Sequence, residues 1–137
     1  MAVELKDYSL EVKAAIDEAM IAYLYEAGGE MEAQVKQNTR VGKGDLKNSW
    51  TYKVDESSAE ATIGSPLENS IWEEFGTGEY ALHGDGRKGG WHYQDDEGEW
   101  HHTYGKTPHR AFQRAFTSLK EPLKNRALEV LKERIEK

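Results

Sequence analysis

Three histidines stand close together in this sequence, His92, His101 and His102, with Asp95, Asp96, Glu97 and Glu99 beside them. Imidazole nitrogens and a carboxylate make a legitimate zinc shell, and zinc-bound water is a hydrolytic nucleophile. The spacing argues against that chemistry, because no HExxH or comparable ligand pair occurs. Histidines and acids on an exposed hairpin more commonly make a polar strand face. Glu73, Glu74, Asp85 and Asp95 could each be nominated as a general acid or base, yet nothing ties two of them to one pocket. Arg87-Lys88-Gly89-Gly90 offers cations and bare backbone to a phosphate, but glycines equally serve tight chain reversal. No P-loop or GxSxG appears, and Gly76, Gly78 and Gly84 do not follow a strand in GxGxxG register. Cysteine is absent, which excludes disulfides, thiolate zinc sites and cysteine nucleophiles. The expectation is no catalytic residue, no metal and no cofactor. A small metal hydrolase using His92, His101 and His102 stands as the alternative.

The elements that would position these residues must be built from a polar chain. It has 137 residues, 31% of them charged and 37% apolar, with a formal net charge of −7 and a mean hydropathy of −0.84. That length suits one domain, 1–137, with one modest core. So polar a composition implies a fold that is elongated, thinly cored or completed by neighbouring subunits. No apolar run reaches the roughly 20 residues of a membrane span. Met1 to Asp7 lacks the basic and apolar regions of a secretory signal, so a soluble product of the cytoplasm is expected. Residues 1–40 carry four basic and eight acidic groups, residues 41–105 five and thirteen, and residues 106–137 nine and four. A basic end on an acidic body can bind nucleic acid or the acidic surface of an identical neighbour. The net acidity speaks against DNA sequence recognition.

Periodicity supplies the elements. Val12, Ile16, Met20, Tyr23, Ala27, Met31 and Val35 recur every three or four residues, predicting a long amphipathic helix over 8–38 with Ser9 as its N-cap. Gly28-Gly29 keeps the phase and marks a kink or a close contact with another helix. Trp50, Tyr52 and Val54 alternate with polar residues, and Ala59 to Ile63 can return as the second strand of a hairpin. Ser70 to Phe75 fits helix or strand and is assigned as a third strand, making a small sheet over 47–76. Residues 77–106 hold a glycine-rich loop and then a second hairpin, in which Tyr93 is expected opposite Trp100, Trp91 opposite His102 and His92 opposite His101. Thr107-Pro108 should open the last helix, 107–136, with Pro122 kinking or dividing it. The fold class is therefore α+β: a long N-terminal helix, a small antiparallel sheet with a projecting aromatic hairpin, and a kinked C-terminal helix.

Four segments in order carry a family resemblance. Gly42-Lys43-Gly44-Asp45-Leu46-Lys47-Asn48-Ser49 is similar to a TG-x-L-x-x-S run before the first strand, although Gly44-Asp45 stands where Thr-Gly is usual. Trp72-Glu73-Glu74-Phe75-Gly76-Thr77-Gly78 resembles an aromatic run ending in EFGTG. Arg87 to Tyr93 resembles a glycine-basic-Trp-x-Tyr segment, and Thr103 to Phe112 a G-x-x-P-x-x-F lead into the final helix. Together they resemble the neck or tail-completion proteins of long-tailed phages and prophages, typified by the tenth gene product of a lambdoid coliphage.

The resemblance implies a structural virion protein without catalytic residues, assembled in the host bacterial cytoplasm. It would form a homo-oligomeric ring, six- or twelve-fold, at the head–tail junction. Connector or stopper and tail-tube proteins would be its partners, and genomic DNA would pass without sequence-specific binding. No membrane is involved. Read from the residues, Trp91, Tyr93, Trp100 and Tyr104 are the expected anchors between subunits. Arg110, Arg114, Lys120, Lys124 and Arg126 are expected to meet acids of a neighbour, so that reversing Arg110 and Arg114 would weaken assembly without unfolding the monomer. Trp72, Phe75, Phe112 and Phe116 are assigned to the subunit core. A nucleic-acid-binding module using the basic last helix is the second alternative.

Overall fold

The computed structural model describes residues 7–40 and 44–135. Gly42 and Lys43 of the first family-like segment therefore lie outside the described residues, as do Met1 to Lys6. The stripe read from the sequence forms α1, Ser9–Asn38. Ser9 is the first helical residue instead of the cap; its N–H donates to the Asp7 carboxylate at 2.9 Å. A short α2, Asp45–Ser49, leads into an antiparallel hairpin of β1, Thr51–Asp55, and β2, Glu60–Gly64.

The expected third strand at residues 70–76 is instead a helix, α3, Asn69–Phe75. Helical winding turns Ser70 and Glu74, four residues apart, to the buried side and leaves Ile71 and Trp72 exposed. A strand would have put residues 70, 72 and 74 on one face and buried the tryptophan with the acid. A second two-stranded sheet, β3, Trp91–Gln94, and β4, Trp100–Thr103, is separate from the first. The chain closes with α4, Ala111–Ile135, a single helix that is not divided at Pro122.

α1 and α4 lie antiparallel. The Tyr23 hydroxyl donates to the Leu123 carbonyl at 2.6 Å, while Asn38 Nδ2 donates to the Ala111 carbonyl at 3.2 Å. Between them and the first hairpin sits the core: Met31, Val35, Leu46, Trp50 and Ala115, with Ile63, Phe112, Leu119 and Leu123 against it. Trp50 is fixed at both ends, its ring stacked on Phe112 and its indole N–H donating to Thr39 Oγ1 at 3.0 Å. Of the four aromatics expected in the core, only Phe112 is there. Trp72, Phe75 and Phe116 are exposed by 46%, 39% and 44%. The chain exposes 9983 Å² in all, against roughly 7,200 Å² for a compact monomer of this mass. The fold is thinly cored.

The two mid-helix glycines of α1 do different things. A Cβ at Gly28 would strike the Tyr52 ring of β1, whereas one at Gly29 would meet nothing. The close contact is thus with the sheet, not a second helix. Gly29→Ala is expected to raise stability by about 0.5–1 kcal/mol through helix propensity. Gly28→Ala should lower it by about 1–3 kcal/mol, because the base of the ring must shift. Thermal unfolding of the two variants beside the parent checks both signs.

Candidate assembly surface

The EFGTG run sits where α3 ends, and its shape is set by a segment far along the chain. The Thr77 N–H donates to the Lys106 carbonyl, and the Glu79 N–H to the Tyr104 carbonyl, both at 2.9 Å. The Lys106 N–H returns to Thr77 Oγ1 at 2.9 Å, and the His109 N–H reaches the Glu73 carbonyl at 2.7 Å. Residues 73–79 and 104–109 therefore form one backbone junction. The two chains cross at Gly78 and Gly105, whose φ angles are +61° and +125°. A Cβ on Gly78 would strike the Tyr104 carbonyl oxygen, and one on Gly105 the Thr77 carbonyl oxygen. Two segments that resemble family motifs are thus halves of one contact.

The acids of the run are structural. The Glu74 carboxylate is buried and accepts the N–H groups of Phe112 at 3.1 Å and Gln113 at 2.8 Å. It supplies the N-terminal cap of α4 from another helix. Thr107-Pro108 does not open that helix, because Arg110 takes a left-handed φ of +60° and the helix begins one residue later. The Arg110 guanidinium lies over the Phe75 ring at 5.2 Å, with Nη1 4.0 Å from Glu74 Oε1. Glu73 is held by Lys106 and, at 3.8 Å, by Arg40.

Beside this junction opens a cleft of about 430 Å³ lined by Ile71, Trp72, Phe75, Arg87 and Trp91 among others. Its lining is largely apolar, with Asp85 and Arg87 at its polar edge. Trp91 is half-buried there, its ring against Gly78 and beneath the Arg87 guanidinium at 5.5 Å. It packs as a wedge within its own subunit, which makes it the least exposed of the four aromatics expected at an interface. Tyr93, Trp100 and Tyr104 are exposed by 45%, 70% and 50%.

The hairpin pairs one residue away from the expected register: Trp91 faces Thr103, His92 faces His102, Tyr93 faces His101 and Gln94 faces Trp100. The turn explains the slip. Asp95 and Glu99 close a three-residue loop, with the Asp95 N–H donating to the Glu99 carbonyl at 2.8 Å and Gly98 left-handed at φ +85°. Asp95 Oδ1 accepts the N–H groups of Glu97 and Glu99, each at 2.9 Å, while Oδ2 is 2.7 Å from His101 Nε2. The three histidines do not converge. His92 and His102 meet with tilted rings at 4.7 Å on one face, while His101 stacks on Tyr93 at 5.3 Å on the other. Among the described residues, the one set of side chains near enough to share an ion is Asp95, Glu99 and His101. The turn and His101 already occupy Asp95's two oxygens.

His101, followed by the turn N–H groups, holds the Asp95 carboxyl below its ordinary value of 3.8. A depressed carboxyl stabilises the fold above its unfolded value and loses that contribution as pH falls through the folded one. The tip should therefore loosen on acidification below the ordinary aspartate range. Asp95→Asn should loosen it at neutral pH. The Trp100 indole resonance reports both, and an unchanged resonance in either case would contradict this account of the turn.

The basic residues of α4 divide. Arg126 is engaged within its own subunit, to Glu26 at 3.2 Å and Glu129 at 3.0 Å. Arg110 belongs to the junction, so reversing its charge is a folding defect and not a clean assembly lesion. Arg114 stays exposed, Nη2 lying 3.4 Å from the Asn38 carbonyl. Lys120 lies 6.0 Å over Phe116, and Lys124 is exposed on the next turn. The roles of Glu74, Gly105 and Arg110 were not separable from the sequence, since each depends on a partner some 30 residues away.

Residues 4–94 match the family described as "HK97-gp10_like: Bacteriophage HK97-gp10, putative tail-component". Comparison with curated proteins and with solved structures finds no match. Among the described residues, no helix is long and apolar enough to cross a membrane.

Proposed function

The chain belongs to the HK97-gp10-like family of bacteriophage tail components, and from that premise we propose that it is a non-enzymatic virion protein forming a ring at the head–tail junction. Such a neck or tail-completion ring joins the tail to the DNA-filled head. The observation that carries the reading is the set of aromatics that one thinly cored copy leaves exposed, Tyr93 and Trp100 on the two faces of the hairpin, Tyr104 at its end, and Trp72 and Phe75 on the cleft beside it. A monomer rarely tolerates so much exposed apolar area unless a partner covers it. Unlike patches on opposite surfaces make head-to-tail contacts, which close into rings when the rotation allows. A net acidic ring gives DNA no counterion-release gain, so the genome slides through. Other copies of the chain, the connector or stopper and the tail tube are the partners in this reading, and assembly takes place in the host bacterial cytoplasm.

Mass measurement of the purified protein, alone and mixed with tail and connector partners, tests it. A discrete oligomer with one or both is expected. Stoichiometric zinc with hydrolytic turnover would favour the metal-hydrolase alternative, and tight, steeply salt-dependent DNA binding the nucleic-acid one.

A further inference from the structure

Resting on the ring reading, we infer that adjacent copies are joined by the β3–β4 hairpin tip of one seating Trp100 on the outward face of α4 of the next, against Phe116, Lys120 and Lys124. The argument begins with charge. Residues 91–105 contain four carboxylates, Asp95, Asp96, Glu97 and Glu99, and neither lysine nor arginine. The exposed residues of α4 from 114 to 124 present Arg114, Lys120 and Lys124 against a single acid, Glu121. Complementary fields of this kind steer two surfaces together and fix their register.

Apolar surface lies within both charged patches. Trp100 is 70% exposed and shares a strand face with His102, which in turn carries Tyr104 edge-on at 4.9 Å. On α4, Phe116 is 44% exposed with the Lys120 ammonium over its ring. An indole entering beside Phe116 meets an aromatic neighbour and a cation together, the combination that makes tryptophan an interface anchor. The tip is also pre-shaped, since the Asp95 carboxylate and Gly98 fix its loop before any partner arrives, which lowers the ordering cost of docking.

One copy does not make this contact with itself. β3 and β4 pair with each other and form no sheet with β1 and β2, and the subunit's extensive helix packing is made by other elements. A two-stranded hairpin is marginal in water; its base is held by Trp91 against Gly78, and a neighbour's helix covers the tip at Trp100, which its own subunit leaves exposed. The tip and the α4 face are different surfaces, so each copy donates one and receives one. The contact is heterologous and repeats around a ring.

Charge exchange tests it. Glu97→Lys with Glu99→Lys, and separately Lys120→Glu with Lys124→Glu, should each cut the yield of assembled rings at least about tenfold, while circular dichroism shows the subunit folded. Combining all four substitutions should restore assembly to within a few-fold of the parent. Because the chain lacks cysteine, Glu97→Cys with Lys124→Cys gives a second readout: oxidised rings should run as a ladder of covalent multiples without reductant. Parent rings that form normally, with charge variants that assemble like the parent and no ladder, would overturn this contact and leave the ring standing. A parent that forms no oligomer, alone or with its tail and connector partners, would overturn both. Lys120→Glu with Lys124→Glu reducing only DNA binding would also overturn the contact.

Discussion

Glu74→Ala is expected to lower the unfolding free energy by about 3 kcal/mol. Two losses combine. The Phe112 and Gln113 N–H groups lose their acceptor, which costs about 0.5–2 kcal/mol at a helix N-terminus. Arg110, itself mostly covered, loses the carboxylate beside it, and a charge left unpaired in a sheltered site adds about 1–3 kcal/mol. In a domain of this size that corresponds to a melting temperature roughly 10 °C lower. Glu74→Gln should fall between the parent and Glu74→Ala, because the amide keeps one acceptor oxygen but turns an NH2 group toward N–H donors. Glu79→Ala, on the exposed side of the same run, should cost within about 0.5 kcal/mol. Chemical denaturation of the three variants checks the order, and equal losses for Glu74→Ala and Glu79→Ala would contradict the capping role.

The second large effect concerns the crossing of the two chain segments. Gly78→Ala or Gly105→Ala should each destabilise by about 4 kcal/mol. A left-handed alanine costs about 1–2 kcal/mol, and the overpacking about 1–3 kcal/mol more. The upper part of that range applies because both collisions are with backbone carbonyls, leaving no flexible side chain to move aside. The loss is a large fraction of a typical domain stability of about 5–15 kcal/mol. Gly84→Ala, where a Cβ would meet nothing, should cost no more than about 1–2 kcal/mol. Since Gly78 and Gly105 guard the same crossing, the double variant should cost less than the sum of the singles. Urea unfolding of the parent and the four variants settles the comparison, and full additivity would mean that the two glycines act separately.

Much of the architecture was legible in the residues. The α1 stripe runs from Val12 to Val35, more than six turns, long enough for the helix to be read from it, and Trp50-x-Tyr52-x-Val54 alternates cleanly into β1. For α3, the deciding partner was remote. Ser70 to Phe75 satisfies helix and strand periods alike, and what distinguishes them is that helical winding delivers Glu74 to the start of α4. The second hairpin was placed correctly but slipped by one residue, because Gly98 adopts a left-handed conformation that makes a three-residue loop out of an apparent four-residue turn. Aromatic character did not reveal burial. Trp72, Phe75 and Phe116 look like core residues in sequence, yet each is more than a third exposed and none joins the core between α1 and α4. Trp91, which looks like an anchor for a neighbour, is wedged over Gly78 within its own subunit and only half-exposed. As for the candidate surface, the aromatic density of residues 77–106 was visible, while the division of the α4 cations into engaged and exposed ones required coordinates.

Three-dimensional imaging of the neck in purified phage particles tests the central claim most directly. The account predicts a closed ring of identical copies around the DNA path between head and tail, with every Trp100 covered by an adjoining copy. Complete, joined particles that lack this polypeptide, or that carry it as a solitary protomer away from the junction, would contradict it.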